Sequence, residues 1–372
     1  MSERNAESLV DRVRGRLEGP NTLGNSTTFW IGFVVAVAAL AAYPQVTDPY
    51  TALQTSRYFA LAFLAISLCF VWGYCGVLSF GQVAFFGISA YTFGTIGINF
   101  ASMTGATAGL FGAVIVGTLA AAVLGYFMFY GGVRDVYVTI MTLVVALVLN
   151  TFMGQTAGSE WAIGAARLGG FNGMTNIPNL TFGIGEAGIV FQTVGFYYAV
   201  LFALVATYLG LRVLLNSSFG MTMVAVREDE ERTATFGYNV PFVKLVVFTI
   251  GGGLAALGGV FYASWGNYVD PSVFSIAFAA LPVVWVSIGG RESLLGAIGA
   301  TLLIERMRTG LSSGIGPVGP EWALVIVGGL LLGVILFMPA GIAPTLNDLK
   351  DSLLEQRSSR SPSSSPTEES VE

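Results

Sequence analysis

The sequence predicts an all-α membrane protein with many spans. Of its 372 residues 54% are apolar and only 10% are charged, whereas about a quarter of the residues in soluble proteins are charged. Apolar stretches of membrane-crossing length, about 20 residues each, recur along the chain. Charged residues collect between these stretches and at both ends of the chain. Together these features indicate a polytopic membrane protein.

About ten transmembrane helices are predicted from the apolar stretches between glycines, prolines and charges. The ninth is too short to cross by itself, so we expect a broken or re-entrant helix there. If spans one to five start inside and end outside, and spans six to ten start outside and end inside, the chain forms two inverted five-helix halves, as many transporters do. The predicted spans are Phe29–Tyr43, Tyr58–Tyr74, Val83–Phe100, Leu110–Tyr130, Val136–Phe152, Val190–Leu215, Val243–Trp265, Phe274–Gly289, Leu294–Ile304 and Trp322–Met338.

Basic residues indicate the orientation, because short cytoplasmic loops are enriched in them. Placing the N-terminus inside puts 13 of the 17 basic residues in the cytoplasm and leaves Arg57, Arg167, Arg306 and Arg308 outside. Residues 1–27 are then a cytoplasmic segment, in which we expect no cleavable signal peptide. Residues 28–345 form the transmembrane domain, and residues 346–372 a disordered cytoplasmic tail.

A charge run stands inside a loop at residues 216–242. Residues Arg227–Arg232 are all ionic, and each charge in hydrocarbon costs about 2.5–3.5 kcal/mol, so this run must lie at a surface. Before it, Ser217 or Ser218 can cap a short amphipathic helix over Phe219–Phe236. An ordinary solvated loop is the alternative. The apolar edge of the predicted helix consists of Met221, Met223, Val224 and Val226.

Missing residues exclude several kinds of chemistry. The chain has no histidine, which excludes serine–histidine hydrolysis and histidine metal sites. Cys69 and Cys75 lie on different faces of one predicted helix, so we interpret them as packing residues without metal or disulfide. The chain also lacks a phosphate-binding Gly-x-x-x-x-Gly-Lys-(Ser/Thr) loop. We therefore expect no enzyme activity, no cofactor, and no nucleic-acid partner.

Carboxylates are scarce within the predicted spans. Ion-coupled carriers usually keep ionisable groups there, whereas the acids of this chain fall at predicted span ends. This distribution indicates that energy for any transport comes from elsewhere, although carriers can also coordinate sodium through backbone carbonyls. The acids in question are Asp135, Glu186, Asp270, Glu292 and Glu305.

The densest motif covers residues Trp72–Tyr91. Its glycines permit close helix approach and a break inside the membrane, and Ser79 and Gln82 offer hydrogen-bonding groups to a polar solute. We interpret the stretch, with Phe85, as a discontinuous helix lining a solute path. The alternative is small-residue helix packing, in which Ser79 and Gln82 bond neighbouring backbone.

These motifs resemble a known family. Residues Gly73–Gly87 resemble the Gly-Tyr-x-Gly-x-Leu-Ser-x-Gly-x-x-x-Phe-Phe-Gly pattern of permease subunits of ABC importers for branched-chain amino acids and for urea or short-chain amides. Residues Gly169–Thr175 resemble the external Gly-Gly-x-Asn-Gly segment of that family, and Ser218–Leu245 its cytoplasmic loop. Further blocks have counterparts in the same order, namely Gly252–Tyr262, Gly289–Arg291 and Pro339–Ile342.

The resemblance implies a transport subunit that moves small polar solutes inward through the cell membrane. ATP would be hydrolysed by two partner ATPase subunits, beside a second homologous permease, an extracytoplasmic solute-binding protein and membrane lipid. The solute-path candidates are Ser79, Gln82, Phe85 and Asn172. The candidates for coupling to the ATPase are Gly220, Arg227, Glu228, Asp229, Glu230 and Gly237.

The resemblance leaves the solute open. Trp72, Gly237–Tyr238 and Trp285–Arg291 are slightly more similar to the urea and short-chain amide branch than to the branched-chain amino acid branch. Specificity resides largely in the binding protein of such systems. The alternative function is a secondary carrier or channel that works without an ATPase, and uptake by vesicles containing this chain alone would favour it.

Overall fold

The computed structural model describes residues 15, 17–22, 24–133, 136–185 and 187–312, with isolated positions between 325 and 345. The structure there is mostly helical, as predicted. The helices are α1 Thr27–Val46, α2 Pro49–Leu68, α3 Gln82–Asn99, α4 Met103–Tyr130, α5 Val136–Gly154, α6 Thr193–Leu215, α7 Ser218–Glu228, α8 Glu230–Thr235, α9 Val240–Gly266, α10 Ile276–Gly289 and α11 Leu294–Ser312. A π-helical turn, Cys69–Gly73, extends α2.

Six helices of the described part are long and apolar enough to cross a membrane: α1, α2 with its π-turn, α4, α5, α6 and α9. Helices α10 and α11 are bent by 118° at residues 290–293 and together make one further broken span or re-entrant loop. This agrees with the broken helix expected near Leu294–Ile304. Helix α3 is not among the six, because polar residues and glycines lower its hydropathy.

The predicted count of ten spans is therefore not confirmed. The tenth span, Trp322–Met338, and the tail at residues 346–372 fall outside the continuously described residues. The two inverted halves remain a prediction.

Helix α2 forms the centre of the bundle. Of the most apolar part of its span, 89% is buried, because its apolar residues surround the helix on all sides instead of forming one stripe. It packs against α6, α9 and α11. Its start is well defined: Asp48 accepts a hydrogen bond from the Thr51 amide, and Pro49 occupies the first helical position. Hydrogen bonds from the Thr51 hydroxyl and amide lower the pKa of the Asp48 carboxyl.

Helices α4 and α9 approach each other closely through small residues. The buried face of α4 carries one small residue every four positions: Gly105, Gly109, Ala113, Gly117, Ala121 and Gly125. A methyl group added at Gly117 would meet the β-carbon of Ala256 at 2.6 Å, and one added at Gly252 would collide with Ala121. Packing of small residues drives helix association in lipid, so this stripe positions α9.

Short strands cover one end of the bundle. They pair as Ala162–Ile163 with Ala166–Arg167, Met174–Thr175 with Tyr268–Val269, and Thr181–Ile184 with Ala187–Val190, all antiparallel. The side chain of Asn267, which ends α9, donates to the Ile177 carbonyl at 2.8 Å. Helices α7 and α8 lie at the opposite end, which we call the α7–α8 end; the other is the strand end.

The described part of the N-terminal segment is attached to the end of α6. The guanidinium of Arg212, 1% exposed, lies 4.9 Å from the ring of Phe29 and 4.8 Å from that of Trp30. It donates to the carbonyl oxygens of Leu17 and Gly24. The described part of a segment expected only to lie at the surface is thus attached to the bundle by one buried arginine.

Candidate functional site

The charge run occupies two short helices at the α7–α8 end. Ser217 caps α7 by accepting from the Gly220 amide, as predicted. The single amphipathic helix expected over Phe219–Phe236 is wrong, because the chain leaves helical geometry at Asp229 (φ −160°, ψ 103°). The Asp229 carboxylate accepts from the Arg232 amide at 2.9 Å and so starts α8. A capping residue inside the run is what divides it.

Only part of the predicted apolar edge faces the core. Met223 and Val226 are buried, whereas Met221 is 53% exposed. Phe236 and Tyr238, just after α8, are also largely exposed, at 72% and 53%. Aromatic residues are enriched at surfaces that contact other proteins, so these exposed rings indicate a contact surface. The exposed acids around them are Glu228, Asp229 and Glu231.

Arg227 points away from this surface and into the bundle. One of its terminal nitrogens (Nη1) donates to the Gly73 carbonyl at 2.6 Å and lies 3.0 Å from a Glu292 carboxylate oxygen. Its other terminal nitrogen contacts Glu228 at 2.7 Å. Gly73 ends the extended α2, and Glu292 lies in the bend between α10 and α11. One guanidinium therefore joins α7 to both of these irregular segments.

The two irregular segments also contact each other. The Tyr74 hydroxyl donates to the Glu292 carbonyl at 2.8 Å, and the Cys69 thiol to the Arg291 carbonyl at 3.1 Å. Any side chain at Gly73 would collide with the Arg291 carbonyl. Gly76 follows in left-handed geometry (φ +78°), and α3 begins only at Gln82. The break predicted for the Trp72–Tyr91 motif is present, and its glycines permit the contact.

Glu230 and Lys244 join α8 to the start of α9. Their side chains form an ion pair, with that of Lys244 only 8% exposed. They line a groove of about 320 Å³ between α8, α9 and the end of α4, where Phe129 and Tyr130 lie. Gly237 ends α8 in left-handed geometry (φ +89°), and Gly220 is buried against the backbone of Leu215. These groups position the two helices.

Three of the solute-path candidates are buried around the start of α3. Gln82 accepts a hydrogen bond from Ser67 at 2.8 Å, and its amide nitrogen is buried without a partner in the described part. The Ser79 hydroxyl accepts from the Gly81 amide at 3.0 Å. Phe85 packs edge-on against Phe248. All three candidates are about 1% exposed. In this conformation Gln82 and Phe85 contact neighbouring helices, whereas Ser79 bonds within its own loop.

Asn172 lies apart from the others, at the strand end. It closes a 3₁₀ turn, Gly170–Asn172, and is exposed. Gly169, Gly170 and Gly173 all have positive φ, which explains the glycines of this motif. The following strand, Met174–Thr175, pairs with residues next to α9. The segment therefore connects two distant parts of the chain.

The sequence reasoning missed a charged cluster within the helices. Glu305 of α11 is fully buried and accepts from Arg57 of α2 at 3.0 Å and from Arg308 at 3.3 Å. Arg57 had been placed in an outer loop and Glu305 at a span end. The signal was available, since Asp48 followed by Pro49 is a typical helix start and places Arg57 inside α2. Arg57 and Arg308, two of the four basic residues that the predicted orientation leaves outside, are thus paired with Glu305 within helices.

Comparison with known proteins shows the family. Residues 51–335 match the family model described as "Branched-chain amino acid transport system / permease component", and this range is more than half of the chain. The chain belongs to this permease family. The matched range includes α2 except its first two residues, all of α3 to α11, and most of the segment predicted as a tenth span.

Curated permeases are similar to this member of the family at moderate identity. The high-affinity branched-chain amino acid transport permease LivM of Escherichia coli is 24% identical over 84% of this chain and 74% of its own length. The probable LivM of Methanocaldococcus jannaschii is 27% identical over 48% of this chain and 53% of its own length. The xylose transport permease XylH of Haemophilus influenzae is 29% identical over 37% of this chain and 38% of its own length. No solved structure matches the chain.

Proposed function

We propose that this chain is the membrane-spanning subunit of an ATP-driven importer that moves branched-chain amino acids into the cell. Family membership over residues 51–335 supports the transport role. The LivM relatives, named for branched-chain amino acid transport, support this cargo. The xylose relative is a reason to test the cargo directly.

The proposal assigns the energy source to other subunits. The complex contains this chain, a second homologous permease, two ATPase subunits and an extracytoplasmic binding protein. Both termini and the α7–α8 end lie in the cytoplasm, and the strand end faces the binding protein. Ser79, Gln82, Phe85 and Asn172 belong to the solute path in this proposal.

The network around Arg227 is the observation that carries the mechanism. A helix pair that docks on an ATPase transmits force only if it is rigidly attached to the membrane helices. Arg227 supplies this attachment through Gly73 and Glu292, and the Glu230–Lys244 pair supplies a second one to α9. Closure of the ATPase dimer would move α7 and α8 together with both irregular segments.

The test should change the exposed surface and leave the attachments intact. Replacing Glu228, Asp229 and Glu230 together would also remove an Arg227 partner, the α8 cap and the Lys244 pair. Glu231→Lys avoids these three losses, because Glu231 is exposed and is not the residue that makes any of the three contacts. We expect it to weaken association with the ATPase subunits by about tenfold or more, as a reversed charge does at an interface.

Co-purification and leucine uptake into vesicles are the measurements. Glu160→Lys, an exposed acid at the strand end, is the matched control and should leave ATPase association unchanged. Normal assembly and uptake with Glu231→Lys would contradict the docking role. Uptake by vesicles containing this chain alone, without ATPase or ATP, would instead favour a secondary carrier or channel. Urea and acetamide in the same assay test the other cargo.

A further inference from the structure

We infer that the cluster of Arg57, Glu305, Arg308, Tyr58 and Trp265 is a binding site for the charged groups of a zwitterionic amino acid. This inference rests on the proposed importer function and adds a location and a chemical class to it. The cluster lies where α2, α9 and α11 meet, with Arg57 in α2, Trp265 in α9 and Glu305 in α11.

Its position inside the helices is the first argument. Arg57 is the ninth residue of α2 and Glu305 the twelfth of α11, so each is separated from the helix start by at least two turns. Ionisable groups at such positions are costly in a membrane and mark substrate or ion pathways. Arg57 and Arg308 keep 23% and 33% of their side chains exposed, while Glu305 has none. Arg57 and Arg308 therefore form the accessible side of the cluster, and Glu305 its enclosed side.

Unused donors are the second argument. The Arg57 Nε, Tyr58 hydroxyl and Trp265 indole nitrogen are all buried without a hydrogen-bond partner in the described part. The first belongs to the Arg57 guanidinium itself, whose carbon lies 5.9 Å from the Tyr58 ring centre and 5.4 Å from that of Trp265, the residues that carry the other two. An unmade buried hydrogen bond is costly. A guanidinium with an unused N–H, next to two aromatic side chains that each have an unused donor, is suited to bind a carboxylate.

The charges select the ligand class. Two arginines and one glutamate leave one excess positive charge, which attracts the α-carboxylate. Glu305 is the complementary partner for an α-ammonium group. A zwitterion presents both charges at a fixed separation and can replace part of the Arg57–Glu305 pair with its own two ion pairs. Urea and neutral amides carry no charge that would use this pair, so the cluster favours the amino acid branch.

Tyr58→Phe is the sharpest variant. It removes only a hydroxyl that has no partner, so the folded complex should lose no stability and could gain some. If the hydroxyl donates to the ligand carboxylate, KM for leucine should rise by about tenfold, the value of one hydrogen bond to a charged group, with kcat nearly unchanged. Ser264→Ala is the matched control: its hydroxyl is also buried without a partner in the described part, but Ser264 belongs neither to the cluster nor to the solute-path stretch. KM should not change there.

Ligand analogues separate binding from a structural role. Radiolabelled leucine is bound to the purified complex without binding protein, and two analogues compete with it. Leucinamide lacks the carboxylate charge, and isocaproate lacks the ammonium group. The wild-type complex should prefer leucine to both by about tenfold or more. Arg57→Lys, which keeps the ion pair with Glu305, should no longer prefer leucine to leucinamide. Glu305→Gln should no longer prefer leucine to isocaproate. Arg306→Gln, at the exposed position next to Glu305 on α11, should keep both preferences for leucine.

Three results would overturn the inference. Unchanged KM with Tyr58→Phe together with unchanged preferences in Arg57→Lys would do so. Wild-type uptake by the double variant Arg57→Glu/Glu305→Arg would show that the pair only holds helices together. Direct binding of urea with no binding of leucine would exclude a zwitterion site. The proposed function fails separately, if the wild-type complex with its binding protein and ATP takes up no amino acid.

Discussion

At the scale of single residues, this structure depends on a few positions where space or charge permits no alternative. Gly73 touches the Arg291 carbonyl, and Arg227 joins Gly73 to Glu292. Without a side chain at Gly73, two irregular backbone segments can bond to each other at the α7–α8 end. Arg57 and Glu305 form the corresponding charged contact inside the helices.

Gly73→Ala tests the close contact. The added methyl group must displace the Arg291 carbonyl, and overpacking of this kind costs about 1–3 kcal/mol. We expect a lower unfolding temperature of the purified complex and reduced leucine uptake. Gly299→Ala, in a helix with no atoms near the added methyl group, should be neutral or stabilising by about 0.5 kcal/mol. Equal melting of both variants would show that the contact is not tight.

At the scale of elements, the important feature is that α7 and α8 are separate. Asp229 ends one helix and caps the other, so the pair forms a bent unit with exposed acids on one side. Arg227 and Lys244 attach this unit to the bundle at two points. A unit attached at two points moves as a rigid body when its exposed side is pulled.

Arg227→Ala should separate ATP hydrolysis from transport. Removing the guanidinium takes one partner from the Gly73 carbonyl, from Glu292 and from Glu228, but leaves the exposed acids Asp229 and Glu231 without any lost contact. We expect ATPase subunits to assemble normally and to hydrolyse ATP, while leucine moved per ATP falls by about tenfold, the value of one charged hydrogen bond. Arg232→Ala, an exposed arginine of α8, is the control for a general charge effect. Loss of assembly in Arg227→Ala would assign the arginine to docking instead.

At the scale of the whole molecule, two ends with different chemistry are separated by the helix bundle. The α7–α8 end carries the ionic run, and the strand end carries paired short strands and glycine turns. The proposed mechanism requires these ends to face opposite sides of the membrane, with the α7–α8 end inside.

Labelling of introduced thiols tests that orientation. Cys69 and Cys75 are buried, and burial raises the pKa of the Cys75 thiol to about 12, so neither should react with an impermeant maleimide. We expect Glu160→Cys to be labelled in intact cells and Glu231→Cys only after permeabilisation. Labelling of Glu231→Cys in intact cells would reverse the orientation and exclude coupling to a cytoplasmic ATPase.

Sequence alone determined the class of this protein from its apolar composition, and the resemblance of its motifs indicated the family. Glycine spacing and local capping chemistry, which act over a few residues, also predicted a break in the Trp72–Tyr91 stretch and a cap at Ser217 or Ser218. Only the tertiary structure decided which distant groups meet: Arg227 with Glu292, Arg212 with the N-terminal segment, and Arg57 with Glu305. Glu305 is 248 residues from Arg57, and no local pattern encodes such a pair. Helix packing alone brings them together, because the cost of an unpaired charge in the membrane is removed only when both helices are in place.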